Sequence, residues 1–345
     1  MPERALRGRV RRLFQLVDEG WSNRLATGLS SGEGLIWRVR DPIVKVSEGE
    51  EVGVDYGVDD KRLVVFEGEF ASTFRVLGRD GNTLSSVLRN VWENGDLSIL
   101  TKNSPATTTG ALISICSHVT VDELLRYLNA TETANGFANR FLWVCVKRSK
   151  FLPDGGNLEE SDVHRLASDL RTTIEFASTC DRVDRDQGAK TLWHEVYPLL
   201  SEGTPGLLGS LTARAEAQVT RLALLYALLD CSPVIRSEHL RAALAVWDYA
   251  ASSVDHIFGD TTGNPDADRI LTKLKTAPQG LTRTDIHKHL GHHLTRNKLD
   301  AALAQLQAQS LAHSQRDETS GRTAERWFHG PADEAIEAKE AGGGR

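Results

Sequence analysis

The chain has 345 residues, 40% of them hydrophobic and 26% charged, a balance typical of a soluble globular protein. No run approaches the roughly 18 consecutive apolar residues of a membrane span, and the first residues lack the apolar core of a secretory signal. The net charge of −6 and the pI near 6.0 exclude a histone-like coat of positive charge, although a local basic face is enough to neutralise a few phosphates.

The four cysteines indicate the redox compartment. They lie far apart and form no CxxC pair, which argues against a disulfide framework or a zinc site: Cys116, Cys145, Cys180 and Cys231. We expect buried thiols in a reducing environment and therefore a cytoplasmic protein with no membrane partner.

The first 60 residues alternate between amphipathic and polar segments. Residues 7–19 predict a helix with one apolar and one arginine-rich face. Residues 24–40 predict a strand, a Gly/Ser turn and a second apolar segment, and residues 45–60, rich in Glu, Asp and Gly, predict a mobile acidic loop.

Apolar strands then alternate with helical segments. Buried strands are predicted at 62–66, 111–116 and 141–146, with a polar helix from Gly81 to Trp92 between the first two. This alternation predicts an α/β fold with a mostly parallel sheet. From Leu158 to Gly259 the pattern is helical, and a plain helical bundle accounts for it.

Residues 266–329 predict a winged helix-turn-helix, with three helices followed by two strands around a polar turn. The third helix carries an apolar stripe at i, i+3, i+4 and i+7: Leu299, Ala302, Leu303 and Leu306. Thr295 is placed to cap that helix, and Arg296, Asn297 and Lys298 are the donors at the end that would enter a major groove.

The charge of this segment is compatible with a DNA partner. Residues 264–330 hold ten Lys/Arg and seven Asp/Glu, a net of +3 against −6 for the chain. Arg322 and Arg326 in the wing are candidates for phosphate contacts. A winged helix used for protein contacts is the alternative. His292 and His293 share no helix face with further ligands, which favours loop histidines over a metal site.

Several short motifs between residues 8 and 260 occur in an ordered series. They are GLSSGEGL (28–35), the strand ending EGEF (67–70), GNTLS (81–85), SHVT (117–120), GFANRF (136–141) and RLALLYA (221–227). In this order and spacing they resemble the RecA-like ATPase domains of primase–helicase replication proteins of phages, plasmids and integrated elements.

The resemblance implies a P-loop NTPase-type parallel sheet and specific roles for polar residues at strand ends. Glu67 resembles the carboxylate that holds Mg²⁺, and Glu33 the carboxylate that activates water, a role for which Glu69 competes. By the same resemblance His118 senses the γ-phosphate, and Arg140 is an arginine finger acting across a subunit boundary in a homo-oligomeric ring. The alternative is that the strand-end acids are merely solvated and that Arg140 is a structural ion-pair partner.

The phosphate-binding loop of that family is missing from the sequence. No GxxxxGK[ST] occurs, and the Gly-rich stretch Gly28–Gly34 contains Glu33 and no lysine. By the resemblance, the first strand and its loop would precede Met1. We therefore expect ATP and Mg²⁺ to bind tightly only if an upstream extension or a partner supplies that loop.

The predicted organisation has four parts: a partial ATPase core (1–152), a helical region (153–262), a winged helix (264–330) and a disordered tail (331–345). The functional prediction is a DNA-replication-associated ATPase or helicase homologue, with enzymatic competence left open. A non-catalytic winged-helix DNA-binding or assembly protein, and a regulator that binds a partner through its helical region, are the alternatives.

Overall fold

The computed structural model describes residues 2–47, 50–99, 106–153, 156–204, 206–259, 262–290, 294–317 and 324–330. Within these ranges the residues form two units. The first comprises Met1–Glu202 and Ala213–Ser253, and the second comprises Gly203–Thr212 and Val254–Arg345.

The strands are short, and most lie in the first unit. They are β1 (Leu25–Ala26), β2 (Ile43–Ser47), β3 (Glu50–Asp55), β4 (Arg62–Glu67), β5 (Leu97–Ile99), β6 (Ala106–Thr108), β7 (Leu112–Ser117), β8 (Asp184–Arg185), β9 (Val234–Ile235), β10 (Leu281–Thr282), β11 (Ala312–Asp317) and β12 (Ala324–His329).

The helices of the first half surround the strands, and longer ones follow. They are α1 (Pro2–Val17), α2 (Gly32–Trp37), α3 (Phe70–Leu77), α4 (Leu84–Glu93), α5 (Val121–Tyr127), α6 (Ala130–Ala134), α7 (Glu160–Ala177), α8 (Gln187–Ser201), α9 (Gly206–Thr212), α10 (Ala215–Leu229), α11 (Ser237–Phe258), α12 (Pro265–Lys275), α13 (Arg283–His289) and α14 (Arg296–Ala308).

A three-stranded parallel sheet organises the first unit. Its order is β1-β4-β7, with Leu25 opposite Val64 and Glu67 opposite Ser117. Alternate residues of β4 are buried, including Leu63 and Val65. The mixed α/β class and the strands at 62–66 and 111–116 are confirmed, but the prediction that the second strand is buried is wrong, because the residues of β7 alternate between exposed and half-buried.

Two sequence predictions for the first unit are wrong. Residues 45–47 and 50–55 are not part of a loop, because β2 and β3 pair antiparallel with a bulge at Lys45/Val46. Alternating β-branched residues specify these strands despite the acidic composition. The segment 141–146 forms no strand, because Phe141 packs its ring against Phe70 and Phe137, with centroids 5.3 and 5.0 Å apart. An aromatic cluster packs Phe141 and Trp143 without a hydrogen-bonded ladder, whereas Val144 and Val146 are exposed.

The helical pattern between Leu158 and Gly259 is confirmed. Helices α8, α10 and α11 enclose a core of small and apolar side chains: Ala189, Val219, Ala223, Ala227, Leu240, Ala243 and Trp247. The cysteine prediction is wrong at two positions, because Cys116 and Cys231 are exposed.

Within the second unit, α12, α13 and α14 pack with an antiparallel sheet of the order β10-β12-β11, and α9 and the end of α11 belong to the same unit. The stripe of α14 is buried as its spacing predicts, against Ile270, Leu274 and Trp327. Thr282 and Asp285 form a reciprocal capping box at the start of α13. Thr295 occupies the N-cap position of α14, but its side chain makes no capping bond.

The helices of the described residues are all too short or too polar to cross a bilayer.

Candidate functional site

The carboxyl ends of β4 and β7 bring three of the predicted site residues together. The amide of His118 donates to the carbonyl of Glu67 (3.2 Å), and the amide of Phe70 donates to the carbonyl of His118 (2.8 Å). Because the strands are parallel, their carboxyl ends lie at one edge of the sheet. Glu67, Glu69 and His118 therefore share that edge.

Glu67 ties the end of β4 to the loop that follows β1. Its side chain is 8% exposed. Its Oε1 accepts hydrogen bonds from the amides of Gly28 and Leu29, the second at 2.9 Å. Gly28 has a φ of 82°, a value that glycine adopts without strain. A buried carboxylate is thus stabilised by backbone donors of the loop, which in turn holds its shape around the carboxylate.

Glu33 lies in the first turn of α2, the helix after that loop. Its carboxylate accepts a hydrogen bond from the hydroxyl of Thr83, 2.7 Å away, and this bond lowers the pKa of Glu33 below its ordinary value. Gly32 permits the contact, because a Cβ there would lie 2.6 Å from both the Thr83 hydroxyl and the Val87 side chain. The hydroxyl of Thr83, at the start of α4, therefore stabilises the ionised form of Glu33 in α2.

Glu69 and His118 differ from Glu67 in exposure. Glu69 occupies the N-cap position of α3, but its side chain is exposed and makes no capping bond. His118 is exposed as well. Neither side chain is buried at the sheet edge as Glu67 is.

A cavity of about 390 Å³ lies beside the loop after β1. Its apolar wall includes Leu35, Leu63 and Val65, and its polar wall is formed by residues 27–31 and Arg38. The volume falls within the range of small-molecule pockets. The amides of Gly28 and Leu29 are already engaged by Glu67, so this loop does not offer them to a bound phosphate.

The metal-binding prediction for Glu67 rests on one carboxylate. Among the described residues, no group of three or more His, Cys, Asp or Glu side chains is placed to hold a metal. Mg²⁺ is commonly held by one or two carboxylates together with waters and substrate phosphates. Both recorded hydrogen bonds of the Glu67 side chain use Oε1, an arrangement that fits a single-carboxylate ligand.

Arg140 lies in a different environment. Its side chain is 9% exposed and pairs with Glu93 at 2.6 Å, while its Nη1 donates to the carbonyl of Gly136. The guanidinium also lies 5.6 Å from the ring centre of Trp92. In this conformation Arg140 makes contacts within its own chain, and the Glu93 pair would have to open before it could act as a finger.

In the second unit, Arg296, Asn297 and Lys298 are all exposed at the start of α14. Arg326 instead donates through Nη1 to the carbonyls of Gln279 and Gly280, 3.3 and 3.2 Å away. Arg322 and the pair His292–His293 lie outside the described residues.

Sequence reasoning missed the residues that surround Glu33 and Arg140: Thr83, Arg89, Trp92, Glu93, Arg214 and Arg221. One signal was available, because Arg214 directly precedes α10 and Arg221 follows two helical turns later, a spacing that places both near one side of the helix. The contacts of Trp92 and Glu93 join segments more than 40 residues apart, which no local pattern encodes.

We expect Glu67→Ala to release the loop after β1. The substitution leaves the amides of Gly28 and Leu29 without their acceptor, at a cost of about 1–3 kcal/mol for the buried amide of Leu29. Hydrogen exchange of the segment 27–31 should accelerate about tenfold or more. Glu67→Gln keeps an acceptor oxygen and should give a smaller effect. Glu69→Ala is the matched control, and equal acceleration in that variant would contradict the assignment.

The Glu33–Thr83 bond predicts a pH-dependent contribution to stability. Thr83→Val removes the donor and should raise the pKa of Glu33 towards its ordinary value, measured by carbon NMR titration of the Glu33 carboxyl. A lowered folded-state pKa stabilises the fold above the unfolded value of about 4.3 and ceases to do so as the pH falls through the folded value. The stability deficit of Thr83→Val should therefore be largest at neutral pH and shrink in acid. Ser86→Ala, whose hydroxyl donates to a backbone carbonyl on the same helix, should leave the pKa of Glu33 unchanged.

The carboxyl edge thus combines a buried carboxylate, an anionic glutamate fixed by a hydroxyl, and an exposed glutamate and histidine. No protein-family model matches this sequence, and no curated protein matches it.

Proposed function

We propose that this chain is a cytoplasmic, DNA-replication-associated homologue of RecA-like ATPases, with a nucleotide site that is incomplete without a phosphate-binding loop from an upstream extension or a partner. The observation that carries the proposal is the buried Glu67 at the carboxyl end of the central strand of a parallel sheet. Ligands of open α/β sheets bind at this edge.

The residues at the edge have the chemistry that phosphoryl transfer requires. Glu33, with its lowered pKa, is ionised at neutral pH and is suited to orient a water molecule. Glu67 is suited to hold Mg²⁺ through one carboxylate oxygen, and the exposed Glu69 and His118 are suited to reach a bound nucleotide. When bound, Mg²⁺ and ATP would supply the metal charge and the transferable phosphoryl group.

The open edge of the sheet is an argument for a further strand that pairs with β7. β7 is the last strand in the sheet order, so one of its backbone edges pairs with no other strand of the described residues. The unpaired N–H and C=O groups of an edge strand are a template for pairing with another strand. A strand followed by a phosphate-binding loop, paired along β7, would complete both the sheet and the phosphate site.

The test uses the native gene product, isolated from its own cells. In this protein Glu33→Gln should reduce ATP hydrolysis about 10²- to 10⁴-fold, because the substitution removes the group that orients water. Nucleotide binding should persist. Glu19→Gln, an exposed position in a 3-10 turn, is the charge-matched control. Hydrolysis that is unchanged in Glu33→Gln would eliminate this role, and a native product without any hydrolysis would favour the second candidate.

The second candidate function is DNA binding or assembly through a winged helix. Its supporting observation is that three adjacent donors are exposed at the start of α14: Arg296, Asn297 and Lys298. Three helices with a three-stranded antiparallel sheet match the plan of this domain type, in which the third helix enters the major groove. A protein partner on the same surface remains the competing proposal.

Replacement of the cationic residues of α14 distinguishes these partners. Arg296→Ala and Lys298→Ala should each weaken DNA binding and reduce the slope of log affinity against log salt by about 1. Arg269→Ala removes an equal charge from an exposed position on α12 and should have a smaller effect. Equal losses in all three variants, or no DNA binding by the unsubstituted protein, would contradict a DNA-reading role for α14.

A further inference from the structure

Four arginines converge on the carboxyl-terminal end of α4. We call this group the arginine cluster: Arg89, Arg140, Arg214 and Arg221, together with Trp92 and Glu93. Arg89, Trp92 and Glu93 belong to α4, whereas Arg140 ends a 3-10 turn and Arg214 and Arg221 lie at the start and on the face of α10. All six residues belong to the first unit.

Glu93 and Trp92 are the centre of the arginine cluster. Glu93 Oε1 accepts hydrogen bonds from Arg140 at 2.6 Å and from Arg214 at 2.7 Å. Arg221 donates to the carbonyl of Trp92 at 2.7 Å. The indole ring lies 3.5 Å from the guanidinium of Arg221 and 4.6 Å from that of Arg214, distances typical of cation–π contacts.

The charges of the arginine cluster do not balance. The recorded ion pairs among the described residues give its four guanidinium groups one carboxylate, that of Glu93, whose side chain is 49% exposed. Burial lowers the pKa of Arg140, and the neighbouring charges of Arg214 and Arg89 lower it further, against the opposing effect of Glu93. Guanidinium groups stay protonated in proteins, so the excess positive charge persists.

Donors within the arginine cluster are also left over. The Nε of Arg140 and the Nε of Arg89 are buried and have no hydrogen-bond partner among the residues that the structure describes. The side chain of Arg140 is more than nine-tenths buried, so water solvates it little. Buried donors are normally satisfied, and charged ones are expensive to leave unpaired. Converging guanidinium groups in excess of their carboxylate attract an anion with several oxygens, and solvent reaches Arg221, which is exposed, and Arg214, whose side chain is 30% exposed.

We propose that the arginine cluster is a binding site for phosphate oxygens, either of a nucleotide or of a nucleic-acid backbone. Arg214 and Arg221 form its accessible part, and Glu93 is an internal carboxylate that occupies the site until a phosphate competes for the same guanidinium groups. This site uses none of the residues at the carboxyl edge of the sheet, so it stands or falls independently of the function proposed above.

Because Glu93 competes with phosphate, removal of its charge should strengthen phosphate binding, an effect that a purely structural cluster would not show. Glu93→Gln removes the competing charge but keeps the size of the side chain, so phosphate binding should tighten several-fold. If the cluster only joined α4 to α10, this substitution would weaken the packing and create no affinity. Arg214→Gln and Arg221→Gln should weaken binding by about tenfold each, because each removes a charged donor.

The experiment titrates the full chain with inorganic tripolyphosphate and follows tryptophan fluorescence, with Trp92→Phe identifying the signal from Trp92. Tripolyphosphate should bind the unsubstituted protein, more weakly in Arg214→Gln and Arg221→Gln and more tightly in Glu93→Gln. Arg79→Gln, an exposed position in the same unit, is the charge-matched control. Circular dichroism checks that each variant is folded.

Two further titrations identify the source of the phosphate. Binding of magnesium-free ATP with the same response to the variants assigns the site to nucleotides, whereas binding of a single-stranded oligothymidylate with that response assigns it to nucleic acid. The proposal is overturned if none of the three probes binds. It is also overturned if Glu93→Gln fails to tighten binding, or if Arg79→Gln weakens binding as much as Arg221→Gln does.

Discussion

The hydrogen bonds from the amides of Gly28 and Leu29 to the buried carboxylate of Glu67 connect the parts of the first unit on which the candidate site depends. They join the loop after β1 to the end of β4, and the bonded residues are 39 and 38 positions apart in the sequence. The position of α2 follows from that loop, and with it the position of Glu33 opposite Thr83. A polar residue at this strand end therefore has a structural role that does not depend on a metal, because Oε1 of Glu67 holds the loop through backbone amides.

The ratio of guanidinium groups to carboxylates differs between the main charged clusters of the two units. In the second unit one guanidinium, that of Arg283, contacts two carboxylates, Asp300 and Glu325, which join α13, α14 and β12. Burial alone would lower the pKa of Arg283, but these carboxylates raise it. In the arginine cluster the ratio is reversed, with several guanidinium groups around Glu93. The first arrangement has carboxylates in excess of its guanidinium group, whereas the second has guanidinium groups in excess of its carboxylate and so positive charge that attracts an external anion.

The surface of α14 and the strands of the first unit show which features a local sequence pattern predicts and which it does not. The 3.6-residue periodicity predicts both the buried stripe of α14 and the exposure of Arg296, Asn297 and Lys298, because one helix determines both faces. The apolar composition of 62–66 and 111–116 likewise predicts strands. It does not predict that 141–146 forms no strand, since Phe141 packs in a cluster of rings and Val144 and Val146 are exposed. It also does not predict that residues 43–55 pair as a hairpin, whose end is fixed by the two hydrogen bonds between Arg40 and Asp55.

The amino-acid sequence by itself determined the α/β class, the periodic helices, the main parallel strands and the acids at their carboxyl ends, because each depends on composition and spacing within about 20 residues. Only the tertiary structure decided what those acids do. Glu67 is buried against backbone amides and Glu33 is bound to Thr83, whereas Glu69 is left exposed. It also decided that Arg140 meets Glu93, Arg214 and Trp92, because the proximity of α4 and α10 arises from packing between segments more than 100 residues apart.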